Sequence, residues 1–199
     1  GTLAFSLIVG LGIFVVAPSA LSTGIQNLTH WSLGWVNFIE GVIRLVIAIG
    51  YIWLIGRMEE INRVFGYHGA EHKTIACYEA GEELTVENIR KYTRLHPRCG
   101  TSFLILVLLI SILVFSMVTW ESLVIRILLK LVLIPVVVGI SYELLKFSGR
   151  HDNFLTRIIC APGLWLQHLT TQEPDDSMIE VAIAAVTPVL PENRAEDQW

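Results

Sequence analysis

Charge is what this sequence has least of. Asp, Glu, Lys and Arg make up only 16% of its 199 residues, against about 25% in an ordinary soluble domain. With 53% hydrophobic residues and a mean hydropathy of +0.60, the composition is that of a membrane protein. Cysteine is scarce as well. Cys77, Cys99 and Cys160 are an odd number, which argues against a complete disulfide framework. No basic residues precede the opening apolar run, so it lacks the form of a secretory signal, and the chain is expected to begin at a processed or trimmed point. There is no internal repeat, which excludes solenoids and propellers. There is also no glycine-rich phosphate loop, nucleotide fingerprint or basic-aromatic surface, which sets nucleotide and nucleic-acid binding aside.

What is there is apolar length. A bilayer core needs about 20 apolar residues in a helix, and four stretches qualify. The first runs from Gly1 to about Pro18, and the polar connection "SALSTGIQNLTHWSLG" follows it. The second, about Trp35 to Ile55, carries Glu40 and Arg44. The third, Thr101 to Thr119, has no ionisable side chain, and a turn at Trp120-Glu121 leads to the fourth, about Leu123 to Leu145. The expected fold is an all-α membrane protein with about four transmembrane helices. It divides into two spans (1–56), a helical hairpin loop (57–100), two further spans (101–146) and an interfacial helical tail (147–199).

Arg57, Arg63, Lys73, Arg90, Lys91, Arg94 and Arg98 fall in the large loop, and Lys146, Arg150, Arg157 and Arg194 in the tail. The opposite connections hold none, apart from Arg126 and Lys130, expected to snorkel outward from the fourth span. The positive-inside rule therefore puts loop and tail on the cytoplasmic side, where thiols stay reduced. In the tail, "FLTRIICAPGLWLQHL" is too short, and too interrupted by Pro162-Gly163, to span, so an interfacial or re-entrant segment is expected. Ser177 and Glu180 have capping-box spacing for a short final helix, and "PENRAEDQW" is expected to fray.

The chemistry concentrates in "YHGAEHKTIACYE". His68, Glu71 and His72 form H-x-x-E-H, and at about 100° per residue all three share one helix face. Glu79 returns to that face, and Cys77 points away. Two neutral imidazoles one turn apart can chelate a divalent ion, leaving the carboxylate to take a proton from a water that the ion acidifies. This is the spacing of the inverted zincins. Against it stands a plainer reading, in which both histidines lie on a charged surface helix with Lys73 solvated. Gly69 also weakens the helix by about 1 kcal/mol relative to alanine. At the far end of the loop, "RLHPRCGTSF" sets His96 three residues before Cys99. A helix begun at Thr85 and running through Arg94 would bring His96 back beside His68 and His72. Cys99 reads equally as a ligand or as a small buried residue.

Two further groups are ionisable at membrane depth. Glu40 and Arg44, one turn apart, read either as a mutual ion pair or as part of a polar cavity. Glu143 in "SYELLKF" could add a carboxylate ligand or pair with Lys146.

Together "YHGAEHKTIACYEAGEELT", "LHPRCGTSF", "GISYE" and "APGLWLQHLTTQEPDDSMIEVAI" resemble the YqhQ-like family of bacterial multi-pass membrane proteins, a group of unknown function described as metal-dependent enzymes by expectation. The resemblance covers about Phe38 to Ala185. It places His68, Glu71, His72, His96 and Glu143 at the family's motif positions, and it implies a bacterial cytoplasmic membrane. Family members begin with a glycine-rich polar segment ahead of the first span, and this sequence shows none.

Three functions compete. A metal-dependent hydrolase would hold Zn²⁺ on His68, His72 and either His96 or Glu143, with Cys99 and Glu79 as further candidates. Glu71 would be its base, and a lipid-linked or membrane-peptide substrate would suit a site at the membrane face. A scaffold would close a structural metal site with His68, His72, His96 and Cys99. A small transporter, forming its pore as an oligomer among membrane lipids, would line a path with Glu40, Arg44 and Glu143.

Overall fold

A computed structural model describes residues 1–119, 123–151 and 153–191. The expected turn at Trp120-Glu121, Arg194 and most of the expected frayed end lie outside the described residues. All regular structure among the described residues is helical: α1 (Thr2–Thr29), α2 (Leu33–Ile55), α3 (Glu59–Glu79), α4 (Val86–Ile89), α5 (Gly100–Ser116), α6 (Leu123–Arg150), α7 (Phe154–Thr170) and α8 (Asp176–Val186). The chain divides into two compact units. Unit 1 comprises Gly1–Tyr51 with Leu104–Leu144, and unit 2 comprises Ile52–Phe103 with the chain from Leu145 onward.

Among the described residues three helices are long and apolar enough to cross a membrane: Thr2–Thr29, Leu33–Ile55 and Leu128–Arg150. The stretch expected as the third span is the apolar helix α5, shorter at 17 residues.

In unit 1, α1 continues well past Pro18, where a polar loop was expected. The hydroxyls that suggested a loop are used inside the helix. Ser22 and Thr23 both donate to the Ser19 carbonyl, and Thr29 donates to that of Ile25. The helix stops at His30, in the left-handed conformation at φ 54°. A π-helical turn at Gly12–Val16 precedes Pro18, with the Ala17 N–H reaching Gly12 O. Proline has no N–H, so the Phe14 carbonyl loses its regular partner four residues on. Arg44 of α2 replaces it, donating from Nε at 3.0 Å. A break in a span is tolerable where a neighbouring helix satisfies the freed group in this way. Gly41 lets α2 and α5 approach closely, since a Cβ there would lie 2.6 Å from the Ile112 side chain.

Unit 2 is built around α3. Its first turn carries Glu59 and Glu60, which favour the positive end of the helix dipole. It gives way to Gly81 at φ 79°. One face holds Ala70 and Cys77, which pack with Ile89 of α4 and with Ile179 and Ala182 of α8 into a fully apolar core. Burying each isoleucine contributes about 1.5–3 kcal/mol. Cys77 thus points away from the histidines, as helical phase requires. Thr85 caps α4, accepting from the Asn88 N–H at 3.3 Å, but this helix ends at Ile89 rather than Arg94.

The tail starts with a reciprocal capping box between Asn153 and Thr156. Pro162-Gly163 does not interrupt α7. Gly163 is instead where α7 meets the chain at Ser102, because a Cβ there would fall 2.5 Å from the Ser102 hydroxyl. The cap of α8 is Asp175, accepting from Met178 N–H at 3.0 Å, so the helix begins ahead of the expected Ser177–Glu180 box.

Between α7 and α8 a short strap crosses α3. The Gln172 N–H donates to the Phe65 carbonyl at 2.8 Å, and its own carbonyl lies where a Cβ on Gly69 would be, at 2.1 Å. Gly69, a weak point for a helix by propensity, is the residue that lets the strap down. Gly69→Ala is therefore expected to destabilise the protein by about 1–3 kcal/mol through overpacking, lowering Tm by several degrees. Gly50→Ala, with no atom within 4 Å, should leave Tm unchanged or raise it. Parallel thermal unfolding in detergent checks both.

Candidate metal centre

His68 and His72 sit one turn apart on α3, with ring centroids 4.3 Å apart. Each has its Nδ1 against a main-chain carbonyl. That of His68 is 2.8 Å from Thr170 O on the strap side, and that of His72 is 2.7 Å from Arg94 O in the returning loop. A carbonyl can only accept, so both Nδ1 atoms carry the hydrogen and both Nε2 atoms face inward. There they meet the thiol of Cys99, whose Sγ is 3.2 Å from His68 Nε2. The donor atoms of His68, His72 and Cys99 all lie within 4.8 Å of one another.

The thiol is tuned. Burial pushes Cys99 up, but hydrogen bonding with His68, His72 and Thr101 outweighs it and holds the group at about 5. His68 is raised above its ordinary value, chiefly by the same bond to Cys99. At 3.2 Å, one proton lies between His68 Nε2 and the Cys99 sulfur, as a thiol donating to the ring or an imidazolium donating to the thiolate. Two imidazoles with fixed tautomers and one cysteine sulfur form a donor set that could hold a divalent transition-metal ion. Main-chain carbonyls holding the outer ring nitrogens are the usual support for metal-binding histidines.

The other expected residues fall around this group. The ring of His96 is 5.7 Å from that of His72, so the loop does return. Its Nε2 faces Glu79 at 3.4 Å, and Glu79 also takes Arg98 at 2.5 Å. Burial pushes His96 below its ordinary pKa. Glu71 is exposed beside the histidines, and its charge contributes to raising His68. Glu143 is exposed on α6, in unit 1.

Several residues that hold the site gave no motif. Gln167 is fully buried, accepting from the His96 N–H and donating to the His96 carbonyl, both at 2.7 Å, and to Ser102 at 2.8 Å. Arg94 donates to Thr171, to its hydroxyl at 2.7 Å and to its carbonyl. Lys73, a solvated neighbour in the plainer reading, is buried and paired with Glu173 on the strap. The polar run "TTQEPDD" was the available signal, since its donors and acceptors exceed what a simple helix connection uses.

Unit 1 carries a second polar group. Glu40 pairs with Arg44 at 2.8 Å, and Lys130 lies 3.4 Å from both carboxylate oxygens and 3.2 Å from Asn37 Oδ1. Asn37 in turn donates to the Val118 carbonyl at 2.7 Å. Lys130 thus points into the unit instead of snorkelling outward, because a carboxylate and an amide are within its reach there. The side chain of Arg126 lies outside the described residues.

Comparison with known proteins agrees with the motif strings. The model of the family described as "Protein of unknown function (DUF1385)" matches residues 1–192. The chain belongs to this family. It is also 42% identical over 153 residues to "Uncharacterized protein YqhQ" of Bacillus subtilis (strain 168), an alignment that covers 76% of this chain and 48% of that protein. The chain thus spans about half the length of the curated relative it matches. No solved structure matches. Family membership brings no stated activity, so the arrangement of side chains has to carry the function.

Because a proton occupies the convergence point, an ion entering it has to displace one. Zinc binding at neutral pH is expected to release about one proton per site. Calorimetry in buffers of different ionisation enthalpy measures this, and Cys99→Ala should abolish the release.

Proposed function

We propose that this protein is a membrane-anchored, zinc-type metalloenzyme, a hydrolase with His68, His72 and Cys99 as protein ligands. The observation that carries this reading is the pair of Nδ1–H bonds to Thr170 and Arg94, which turn both Nε2 atoms toward the Cys99 sulfur. Three protein ligands with a fourth position open is the pattern of catalytic zinc, whereas structural zinc is closed by four. When bound, the ion supplies Lewis acidity, which brings a water molecule's pKa to about 7.

The chain's own residues supply the rest. Glu71, one position before His72 and open to solvent, accepts a proton from the attacking water and returns it to the leaving group. His96, held neutral by burial, sits behind His72 with its Nε2 tied to Glu79. That orientation favours an open centre over the closed set of His68, His72, His96 and Cys99 that a scaffold would use. In this reading α5 serves as a fourth span, and the lysine and arginine distribution supports a cytoplasmic position for the centre. A substrate that is lipid-linked or a membrane peptide fits such a position.

Purified protein is expected to carry about one zinc per chain. His68→Ala and Cys99→Ala should each lower metal affinity by about 10–100-fold or more, while Glu71→Gln leaves it unchanged. In cobalt-substituted protein, added azide should shift the visible bands, because it enters the open position. Metal content that His68→Ala does not alter, or cobalt bands indifferent to azide, would overturn the reading.

A further inference from the structure

Unit 1 holds a half-open cavity of about 970 Å³ that the metal centre does not use. Small-molecule sites typically occupy about 300–1,000 Å³, so this space far exceeds what an inorganic ion needs. Its lining is two-sided. Ser19, Thr23 and Asn27 of α1, spaced four residues apart, form a polar stripe, while Val36, Phe115 and Leu131 contribute apolar wall.

The charged corner lies between them. Arg44 is fixed from two sides, by the Phe14 carbonyl that Pro18 leaves without its regular partner and by Glu40. Lys130 shares that same carboxylate. Arg44 and Lys130 thus both line the cavity around Glu40, in helices long and apolar enough to cross a membrane. Holding charge in such helices is costly and commonly marks a pathway or a ligand site. The π-turn beside Phe14 is a distortion that recurs at functional sites. Here it aims a carbonyl at Arg44 and so presents the guanidinium to the cavity.

We propose that this cavity binds an amphiphile with an anionic, phosphate-type headgroup and a hydrocarbon chain. The headgroup pairs with Arg44 and Lys130 beside the polar stripe of α1, and the chain lies along the apolar wall. A guanidinium suits a phosphate or carboxylate through paired N–H donors. The site is independent of the metal centre, and either can fail without the other.

The test uses the full chain in a neutral detergent, with hexadecyl phosphate as probe and native mass spectrometry and thermal shift as readouts. One probe should bind per chain, saturably, and raise Tm. Hexadecanol, which has the chain without the charge, and inorganic phosphate, which has the charge without the chain, should each bind about tenfold more weakly or worse, as expected when a charge-assisted hydrogen bond or the apolar burial is lost. Arg44→Gln should remove the preference for the charged probe. Since Arg44 also satisfies the Phe14 carbonyl and its loss weakens the fold as well, Thr23→Trp is the second arm. It fills the cavity from the polar stripe without touching the ion cluster, and it should cut binding by a similar factor. Equal binding of hexadecanol would overturn the proposal, as would inorganic phosphate competing at equal concentration or a Thr23→Trp protein that binds like the parent.

Discussion

The hydrogen bond from His68 Nδ1 to the Thr170 carbonyl, at 2.8 Å, is the contact on which the rest of unit 2 depends. It decides which ring nitrogen is bare, and so whether two imidazoles and a thiol can converge on one ion. The carbonyl is in place only because the strap after α7 lies flat on α3. That requires a residue without a Cβ at position 69 and the main-chain bond from Gln172 to Phe65. The strap is then clamped from the loop side by Arg94 and from α3 by Lys73. The tail thus forms one wall of the site, although nearly a hundred residues separate it from the histidines in sequence.

Much of this was legible beforehand. The shared face of His68 and His72 and the exclusion of Cys77 follow from a period of about 3.6 residues, whereas His96 returns through irregular chain after Ile89 and not on the expected helix to Arg94. The identity of the third donor did not. Cys99 was undecided because helical phase says nothing about a residue in the irregular stretch between α4 and α5, and only the fold brings its sulfur to His68. Gly69 was misleading for a related reason. Propensity scores a glycine by its cost in an isolated helix, whereas here it is set by the backbone of another segment. The same tertiary override turned the serines and threonines after Pro18 from loop formers into a helical stripe, because each hydroxyl found a carbonyl within its own helix.

The two units handle buried charge by one logic. In unit 2 a thiolate is kept by imidazoles and a threonine hydroxyl, and in unit 1 a single carboxylate is shared by Arg44 and Lys130. Neither arrangement is the cheapest way to stabilise a helical bundle, since apolar residues of similar volume often do as well or better than buried ions. Polar groups retained at that cost, each beside space or an open donor set, point toward ligands more than toward architecture. Family membership is consistent with both sites and assigns neither.

X-ray absorption at the zinc edge of the metal-loaded protein separates an open centre from a closed one. The proposed centre should show one sulfur at about 2.3 Å, two imidazole nitrogens at about 2.0–2.1 Å and one light, exchangeable oxygen ligand. A shell of one sulfur and three nitrogens with no oxygen would mean that His96 closes the site and that the centre is structural. A shell without sulfur would contradict the account outright, because Cys99 would then be no ligand at all.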